Sequence, residues 1–526
     1  MGIGTTVNGE EQKGKIIKLF TSLTSQVIIF NCNSINDFKK STILIFIKEK
    51  IIMGAGFHIQ IVNATPYNIN QVKSHSYQME WDPSSQISPN SFTQFYAEFK
   101  ETVGHDSIDD AGDVEYTLEE VSNFNFTISA KKSGVNGLST PVPSEAGYGV
   151  LVEWQNIPNG LFVYPTPDTT NTSAVGWIHD GVVTIALGYF PGNTQSQISP
   201  YPTPNYGSGG LADDQSVLRP SVLHWANNWM ELFAPCIQNL CLNELTLPGT
   251  HDASTYCAGS ISQSWVQTQY QNINQQLSQG IRALDLRLML SSGSGDNQFV
   301  MCHGSFALPL TLVDFLNQVT QFLADNPQEF VILDLHDFEG NWTSQTYQDL
   351  SNLIINTIGQ DKLIPPSGIS QPLKDLWQTT GRVIVGSLEF PDSMSDWLAQ
   401  NTPFWSSSIK QYWCGTSVTL WSDVQSYLQQ QIDAINQPNN FLWSLMAQYN
   451  YEGAYGVPAN VPKELSSFFA GLNGIKSNII ATDWWNRVNT STGQLETNVN
   501  NFSALINGVP LNILKGYRRA NNLPLW

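Results

Sequence analysis

The chain has 526 residues, of which 41% are hydrophobic and 13% are charged, and its formal net charge is −20. This length is too great for one small core and predicts a globular protein of two domains. A surface this acidic repels phosphate groups, which argues against nucleic-acid binding and against docking on anionic lipid through a basic patch. Membrane contact would have to rely on aromatic residues, and the 16 Trp residues leave it open. The six cysteines show neither a CxxC pair nor zinc-type spacing, and we expect small buried side chains.

Residues 1–52 carry no clear structural pattern. The apolar runs at 27–30 and 43–47 are interrupted by lysines and are far shorter than the roughly 20 residues of a membrane span. They also lack the cleavage site of a secretory signal. We therefore predict a dispensable leader or extension before Met53, no transmembrane segment, and a cytoplasmic protein that associates peripherally with membranes.

Residues 53–190 alternate between apolar and polar side chains, which is the pattern of strands with one buried face. Turn-forming clusters separate these stretches, and helical periodicity is missing, so we predict an all-β sandwich of unknown role. The acidic run at 106–113 lacks the EF-hand pattern and is interpreted as a solvated loop. The predicted strands cover residues 57–63, 92–99, 123–129, 149–154 and 182–189.

A Pro/Gly-rich linker is predicted at 191–220, and the periodicity changes after it. In residues 221–526, apolar runs alternate with amphipathic helices, predicted at 312–324, 347–358 and 422–435. About seven strands alternating with helices predict an α/β TIM-type (β/α) barrel, complete or slightly irregular. The predicted strands cover residues 242–247, 281–288, 299–302, 330–335, 383–388, 441–446 and 479–482.

Ionisable residues stand at the ends of the first three of these runs. The first run is followed by His251 and Asp252, the second carries Asp285 and Arg287, and the third is followed by His303. Active sites of (β/α) barrels lie at the carboxyl ends of the strands. Two imidazoles, two carboxylates and a guanidinium at that edge predict a site that moves protons around an anion.

These motifs resemble the X domain of phosphatidylinositol-specific phospholipase C. The likeness rests on Leu-Pro-Gly-Thr-His-Asp at 247–252, Gly-Ile-Arg-x-x-Asp-x-Arg at 280–287 and His-Gly at 303–304. It continues through residues 311–316, 326–334, 376–377 and 479–483, and covers about residues 221–520. It is strongest with the small eukaryotic proteins that consist of an X domain, and then with secreted bacterial enzymes. The resemblance implies a distorted TIM barrel that cleaves an inositol phospholipid at a membrane surface into diacylglycerol and a cyclic inositol phosphate.

The resemblance also implies catalytic roles. His251 is the general base on the inositol 2-hydroxyl, and His303 is the acid that protonates the glycerol oxygen. Asp252 couples to His303, and Asp483 orients His251. Arg287 clamps the phosphate.

Arg287 decides the prediction about metal. Calcium-dependent members of the family have an acidic residue at this position, whereas a guanidinium repels a calcium ion, so we predict no cofactor. The chain departs from the family at residues 336–339, where lysines or a glutamate are usual; Asp337 and Glu339 there keep calcium as a minority alternative. The predicted substrate-binding residues are His336, Asp285 and Trp484.

Two alternatives to a phospholipase C stay open. The first is a catalytically silent module that binds lipid or a partner. The second is a metal-dependent phosphodiesterase on the same barrel, of the glycerophosphodiester type, but that class needs Glu-x-Asp where this chain has residues 285–287. Protein partners and the identity of the inositol lipid are not predicted.

Overall fold

The structure is a computed structural model that describes ten stretches of the chain. Trp484, residues 1–52 and most of the predicted linker lie outside them, as does most of the acidic run at 106–113. Residues 53–526 group as one compact unit. Among the described helices, none is long and apolar enough to cross a bilayer. The described residues are 55–99, 110–133, 147–166, 181–192, 226–258, 263–387, 409–451, 454–458, 464–483 and 503–526.

The N-terminal part contains two five-stranded sheets, with the orders β3-β5-β1-β10-β9 and β4-β2-β6-β7-β8. Strand β1 pairs antiparallel with β5 and parallel with β10. The strands are β1 (Ala55–Ala64), β2 (Ile69–Tyr77), β3 (Met79–Trp81), β4 (Gln86–Ile87), β5 (Ser91–Phe99), β6 (Ala111–Leu118), β7 (Asn125–Ser133), β8 (Gly147–Gln155), β9 (Leu161–Thr166) and β10 (Gly181–Tyr189).

One apolar cluster contains side chains from both sheets, including Ile59 of β1, Tyr116 of β6, Ile128 of β7 and Ile185 of β10. Every second residue of β6 is buried, as expected for a strand with one face in a core. Strand β2 is exposed over most of its length, and its polar sequence did not predict a strand. The sandwich stays a prediction, and the parallel pairing of β1 with β10 departs from purely antiparallel sheets.

The C-terminal part alternates strands and helices. The three predicted helices are α5, α6 and α8. The elements are α1 (Trp229–Leu232), α2 (Ala234–Ile237), β11 (Leu247–Thr250), α3 (Gln263–Val266), α4 (Ile273–Ser278), β12 (Ala283–Leu290), β13 (Phe299–His303), β14 (Phe306–Thr311), α5 (Leu312–Asp325), β15 (Val331–Glu339), α6 (Ser344–Ile358), α7 (Leu373–Leu376), β16 (Val383–Ser387), β17 (Lys410–Tyr412), α8 (Trp421–Asp433), β18 (Trp443–Met446), β19 (Asn450–Tyr451), β20 (Ala454–Pro458), α9 (Leu465–Phe468), α10 (Gly471–Lys476), β21 (Ile479–Thr482) and α11 (Ser503–Ala520).

Parallel pairings run in the order β16-β15-β12-β11-β21-β18-β17, and the hairpin β13–β14 adds to β12 in antiparallel fashion. The sheet is mixed because this hairpin is antiparallel. Among the described strands, β16 and β17 are not paired with each other, so the described sheet does not form a closed barrel. The expected TIM-type barrel is corrected accordingly.

Two predicted barrel strands differ in the structure: the first lies further along the chain, and the second is a strand but pairs antiparallel with β12. Residues 242–247 begin with a 3₁₀ segment, Leu242–Glu244, closed by a capping box, and the strand itself is β11. The run at 299–302 belongs to a hairpin, because Gly304 adopts a φ of +51° in the two-residue turn between β13 and β14.

The N-terminal and C-terminal parts share one apolar cluster. The ring of Tyr164 on β9 packs edge-on against Phe233, with the ring centroids 4.7 Å apart. The backbone N–H of Gly471 donates to the Gln60 side chain at 2.5 Å, and Arg518 donates to Asn90. The sequence did not predict this shared core, and the predicted domain boundaries stay a prediction.

We expect Phe233→Ala to lower the free energy of unfolding by about 3–5 kcal/mol, because the ring is fully buried where the two parts meet. Chemical denaturation followed by tryptophan fluorescence and by far-ultraviolet circular dichroism should show a single shared transition at lower denaturant. The control is Phe306→Ala, whose ring is 53% exposed and should leave stability unchanged. Two separate transitions, with only one displaced, would contradict a shared core.

Candidate active site

His251 and Asp252 follow β11, a fully buried strand between β12 and β21. Gly249 allows this packing, since a Cβ there would lie 2.8 Å from the Ile479 side chain. Asp252 has the left-handed conformation φ 45°, ψ 55°, which is uncommon for a residue other than glycine and typical of functional sites. The Gln269 side chain donates to the His251 carbonyl at 2.9 Å and holds the turn.

The His251 ring is held from both sides. Its Nδ1 lies 2.6 Å from Oδ1 of Asp483, which directly follows β21. Its Nε2 lies 2.9 Å from Nη2 of Arg287 and 3.4 Å from Oδ2 of Asp252. A neutral Nε2 can accept from the guanidinium, and a protonated one can turn to the carboxylate. This environment suits a group that gains and loses a proton.

His303 stands at the end of β13, and its Nε2 lies 3.2 Å from Oδ2 of Asp252. The same carboxylate oxygen therefore contacts both imidazoles, although the two rings come from positions 52 residues apart. The His303 side chain is 24% exposed and that of His251 is 11% exposed, so both rings are partly accessible to solvent.

Arg287 lies among the carboxylates. Its Nε contacts Oδ1 of Asp252, and its Nη2 lies 3.5 Å from Oδ2 of Asp285. The Asp285 oxygen also accepts from the backbone N–H of Asp252 at 3.2 Å. Arg282, one residue before β12, instead forms a fully buried ion pair with Glu329, as expected if its side chain points to the opposite side of the sheet from Arg287.

The surroundings of the two imidazoles shift their pKa values in opposite directions. Burial disfavours a charged His251, but Asp252 and Asp483 outweigh it and raise the pKa of His251 to about 9. Burial dominates at His303 and lowers the pKa of its imidazole, against the attraction of Asp252. Burial raises the pKa of Asp483, although His251 opposes it. The imidazole of His251 is therefore the more basic of the two.

His336 occupies a β-bulge. Leu286 pairs with Leu335, and Arg287 pairs with Asp337, so His336 is the extra residue between them. Bulges redirect side chains and are common beside active sites. Among the described residues, none offers a hydrogen-bond partner to the buried Nδ1 atom of His336.

The predicted residues His251, Asp252, Asp285, Arg287, His303 and Asp483 come together in one cluster, and His336 stands beside Asp285. Sequence reasoning missed Gln411, which donates to Asp334 at 2.8 Å. Asp334 lay within a recognised motif, but only the strand register places it beside Asp285.

A metal ion does not fit this cluster. Ligand atoms of His251, Asp252 and Asp285 lie within 4.8 Å of one another, which is close enough to hold a cation. However, the Arg287 guanidinium already lies among them, in contact with all three. A divalent cation at this point would meet a fixed positive charge a few ångströms away.

Residues 250–387 match the family model "Phosphatidylinositol-specific phospholipase C, X domain". The chain is thus similar to the X domain of this family over residues 250–387. The resemblance inferred from the motifs is thereby confirmed, and the matched range includes both histidines and Arg287.

Three relatives are named PI-PLC X domain-containing proteins. Protein 1 of Mus musculus is 28% identical over 204 residues, covering 34% of this chain and 58% of the relative. Protein 1 of Danio rerio is 30% identical over 206 residues, covering 34% and 64%. Protein 2 of Homo sapiens is 24% identical over 289 residues, covering 49% and 85%. The chain therefore spans less than two thirds of the first two relatives.

Solved structures similar to this chain include phosphatidylinositol-specific phospholipase C from Listeria monocytogenes, with a TM-score of 0.40, 20% identity, and coverage of 54% of this chain and 98% of that one. The enzyme from Staphylococcus aureus gives a TM-score of 0.39, 14% identity, and coverage of 52% and 97%.

Proposed function

We propose that this X domain protein is a phosphoinositide-specific phospholipase C-like phosphodiesterase that cleaves an inositol phospholipid to diacylglycerol and a cyclic inositol phosphate. The observation that carries the proposal is the shared contact of His251 and His303 with Asp252, beside the guanidinium of Arg287. A base, an acid and a phosphate clamp are the groups that phosphodiester cleavage needs.

Each step can be assigned to a group of the chain. Asp483 accepts Nδ1–H of His251 and leaves Nε2 to take the proton of the inositol 2-hydroxyl. The alkoxide oxygen bonds to phosphorus, and the bond from phosphorus to the glycerol oxygen breaks. His303 gives its proton to that oxygen, while Arg287 stabilises the charge on the phosphoryl oxygens. The step leaves His251 protonated and His303 neutral, so the proton count balances.

The pH profile of kcat/KM should reflect the different pKa values of the two imidazoles. Catalysis needs a neutral His251 and a protonated His303, and kcat/KM reports these ionisations in the free protein. Since the pKa of His251 is about 9 and that of His303 lies below 6.5, we expect a bell with its alkaline limb set by His251. Asp483→Asn removes a carboxylate that raises the His251 pKa, so the alkaline limb should move to lower pH.

Initial rates on a soluble inositol phosphodiester, measured from acid to alkaline pH, check this expectation. Asp325→Asn is the control, because it removes an exposed carboxylate at the end of α5. An alkaline limb that stays in place in Asp483→Asn would contradict the assignment of His251.

We propose that the chemistry is independent of metal, because Arg287 lies where a calcium ion would bind and contacts its candidate ligands. His336 and Asp285 are proposed to contact the head group, as is Trp484, which lies outside the described residues. In the described part of the chain the Nδ1 atom of the redirected His336 ring has no hydrogen-bond partner, and we propose that it bonds to the inositol or its phosphate.

The proposed substrate sits in a lipid surface, and apolar residues near the site offer a contact. Phe306 begins β14 immediately after the His303 turn, Trp265 lies in α3 just before Gln269, and Trp413 follows β17. Their exposed fractions are 53%, 52% and 45%. With a net charge of −20 the chain gains little from anionic headgroups, so these side chains are proposed to give peripheral, apolar membrane contact.

We expect Phe306→Ala to weaken binding to phosphatidylinositol vesicles roughly 10-fold, because burying a Phe side chain contributes about 1.5–3 kcal/mol. The rate on a soluble phosphodiester should be unchanged. Vesicle sedimentation and soluble-substrate kinetics measure the two quantities. Tyr77→Ala, which removes an exposed ring from β2, should change neither. An equal loss on both substrates would mean that Phe306 acts in the site and not at the membrane.

Diacylglycerol release from phosphatidylinositol vesicles, with EGTA present, tests the proposed function. Release with EGTA supports a metal-independent phospholipase C. Binding without release would instead support a silent lipid-binding module, and release only with calcium would support the metal-dependent alternative.

A further inference from the structure

A second carboxyl group lies beside the site and takes no part in the mechanism above. Asp334 on β15 is in register with Asp285 on β12, and neighbouring parallel strands are about 4.8 Å apart. Both residues are buried, with 4% of Asp285 and 5% of Asp334 exposed. Two buried carboxyl groups at this spacing cannot both ionise without strong repulsion.

The partners of the two groups differ. Oδ2 of Asp285 accepts from the Asp252 backbone and faces Arg287, whereas Oδ2 of Asp334 accepts only from the neutral amide of Gln411. The Oδ1 atom of each carboxyl group is buried, and no hydrogen-bond donor reaches it among the described residues. A proton on one of the two groups would leave the pair with a single negative charge.

We propose that Asp334 is a neutral carboxylic acid beside the ionised Asp285 and thereby leaves the Asp285 charge to position Arg287. Asp334 touches neither imidazole in this arrangement, so it is a positioning residue. Its catalytic consequence rests on the proposed function, whereas its protonation state does not.

The surrounding charges support this division of roles. Burial and the neighbouring Asp285 raise the pKa of Asp334 well above its usual value. Burial also works to raise the pKa of Asp285, but Arg287, His336 and His251 outweigh it and lower that pKa. Gln411 and Arg287 oppose the rise in the pKa of Asp334, but burial and Asp285 outweigh them.

The architecture explains why Gln411 reaches Asp334. Gly386 on β16 is in register with Asp334, and a Cβ at Gly386 would lie 2.8 Å from the Ile409 side chain. The chain entering β17 therefore packs directly against the glycine. The hydrogen bond from Gln411 to Asp334 connects β17 with β15. These two strands are not hydrogen-bonded neighbours in the described sheet.

Infrared spectroscopy of the full chain at neutral pH tests the protonation state without any substrate. The wild-type minus Asp334→Asn difference spectrum should contain the carbonyl stretch of a protonated carboxylic acid, shifted in deuterium oxide. The corresponding difference for Asp325→Asn, an exposed carboxylate, should contain only carboxylate bands. Carboxylate bands alone in the Asp334→Asn difference would overturn the proposal.

Kinetics test the positioning role. Asp334→Asn keeps a donor and an acceptor of the same shape and should retain a rate close to the wild type. Asp334→Leu should lower kcat on the order of 100-fold, as small displacements of a phosphate clamp can do. Equal losses in both variants, with circular dichroism showing both folded, would contradict the positioning role. A wild type inactive on inositol lipids would contradict the proposed function, and the infrared difference would still decide the protonation of Asp334.

Discussion

Replacing His251 or His303 with Ala is expected to lower kcat/KM for phosphatidylinositol by about 10²–10⁴-fold, the usual contribution of a general acid or base. Both rings contact the Asp252 carboxylate. Each substitution therefore removes either the proposed base or the proposed acid of the reaction. Steady-state rates on vesicles of phosphatidylinositol measure the effect. His75→Ala is the matched control, because this exposed histidine of β2 lies in the N-terminal part of the chain.

The leaving group separates the two roles. A substrate whose leaving group is a phenolate of low pKa needs no proton, so it should restore much of the rate in His303→Ala. It should not rescue His251→Ala, because attack by the 2-hydroxyl still needs a base. Equal rescue of both variants, or of neither, would contradict the assignment of base and acid.

Replacing Arg287 should have an effect of similar size. Arg287→Lys keeps the charge but loses the forked geometry, and we expect kcat to fall by about 10²–10³-fold, as for the loss of a donor to a developing oxyanion. Arg287→Ala should in addition lower the free energy of unfolding by about 3–5 kcal/mol, because the fully buried Asp252 side chain loses its cation.

Arg282→Lys provides the contrast. This arginine lies one residue before β12 and forms a fully buried ion pair with Glu329. Its replacement should destabilise the fold while the folded fraction keeps its kcat/KM. Turnover unchanged in Arg287→Lys, measured on the same vesicles, would mean that Arg287 does not hold the phosphate.

The cluster of site residues was predictable because parallel strands place their carboxyl ends at one edge. His251, Asp285 and Asp483 stand on or just after β11, β12 and β21, which are neighbours in the sheet. Strand alternation likewise predicts that Arg282 and Arg287, five residues apart, point to opposite sides of the sheet. These inferences need only local patterns and the rule that fixes where strand ends meet.

Other features depend on pairings that a local pattern does not encode. The hairpin containing His303 resembles a barrel strand in sequence, and only its antiparallel pairing with β12 distinguishes it. Strand β17 has three residues, too few for a periodic signal, so the contact of Gln411 with Asp334 had no basis in the sequence. The shared core of the two parts arises because outward-facing side chains such as Tyr164 are apolar as well.

The most direct test of the central claim is phosphorus NMR of phosphatidylinositol vesicles treated with the full-length chain in EGTA. The account predicts that a resonance of a five-membered cyclic phosphodiester appears as the lipid is consumed, and that His251→Ala abolishes it. Lipid left intact without calcium, or an acyclic phosphate as the first product, would contradict an inositol hydroxyl attacking a phosphate held by Arg287 between two imidazoles.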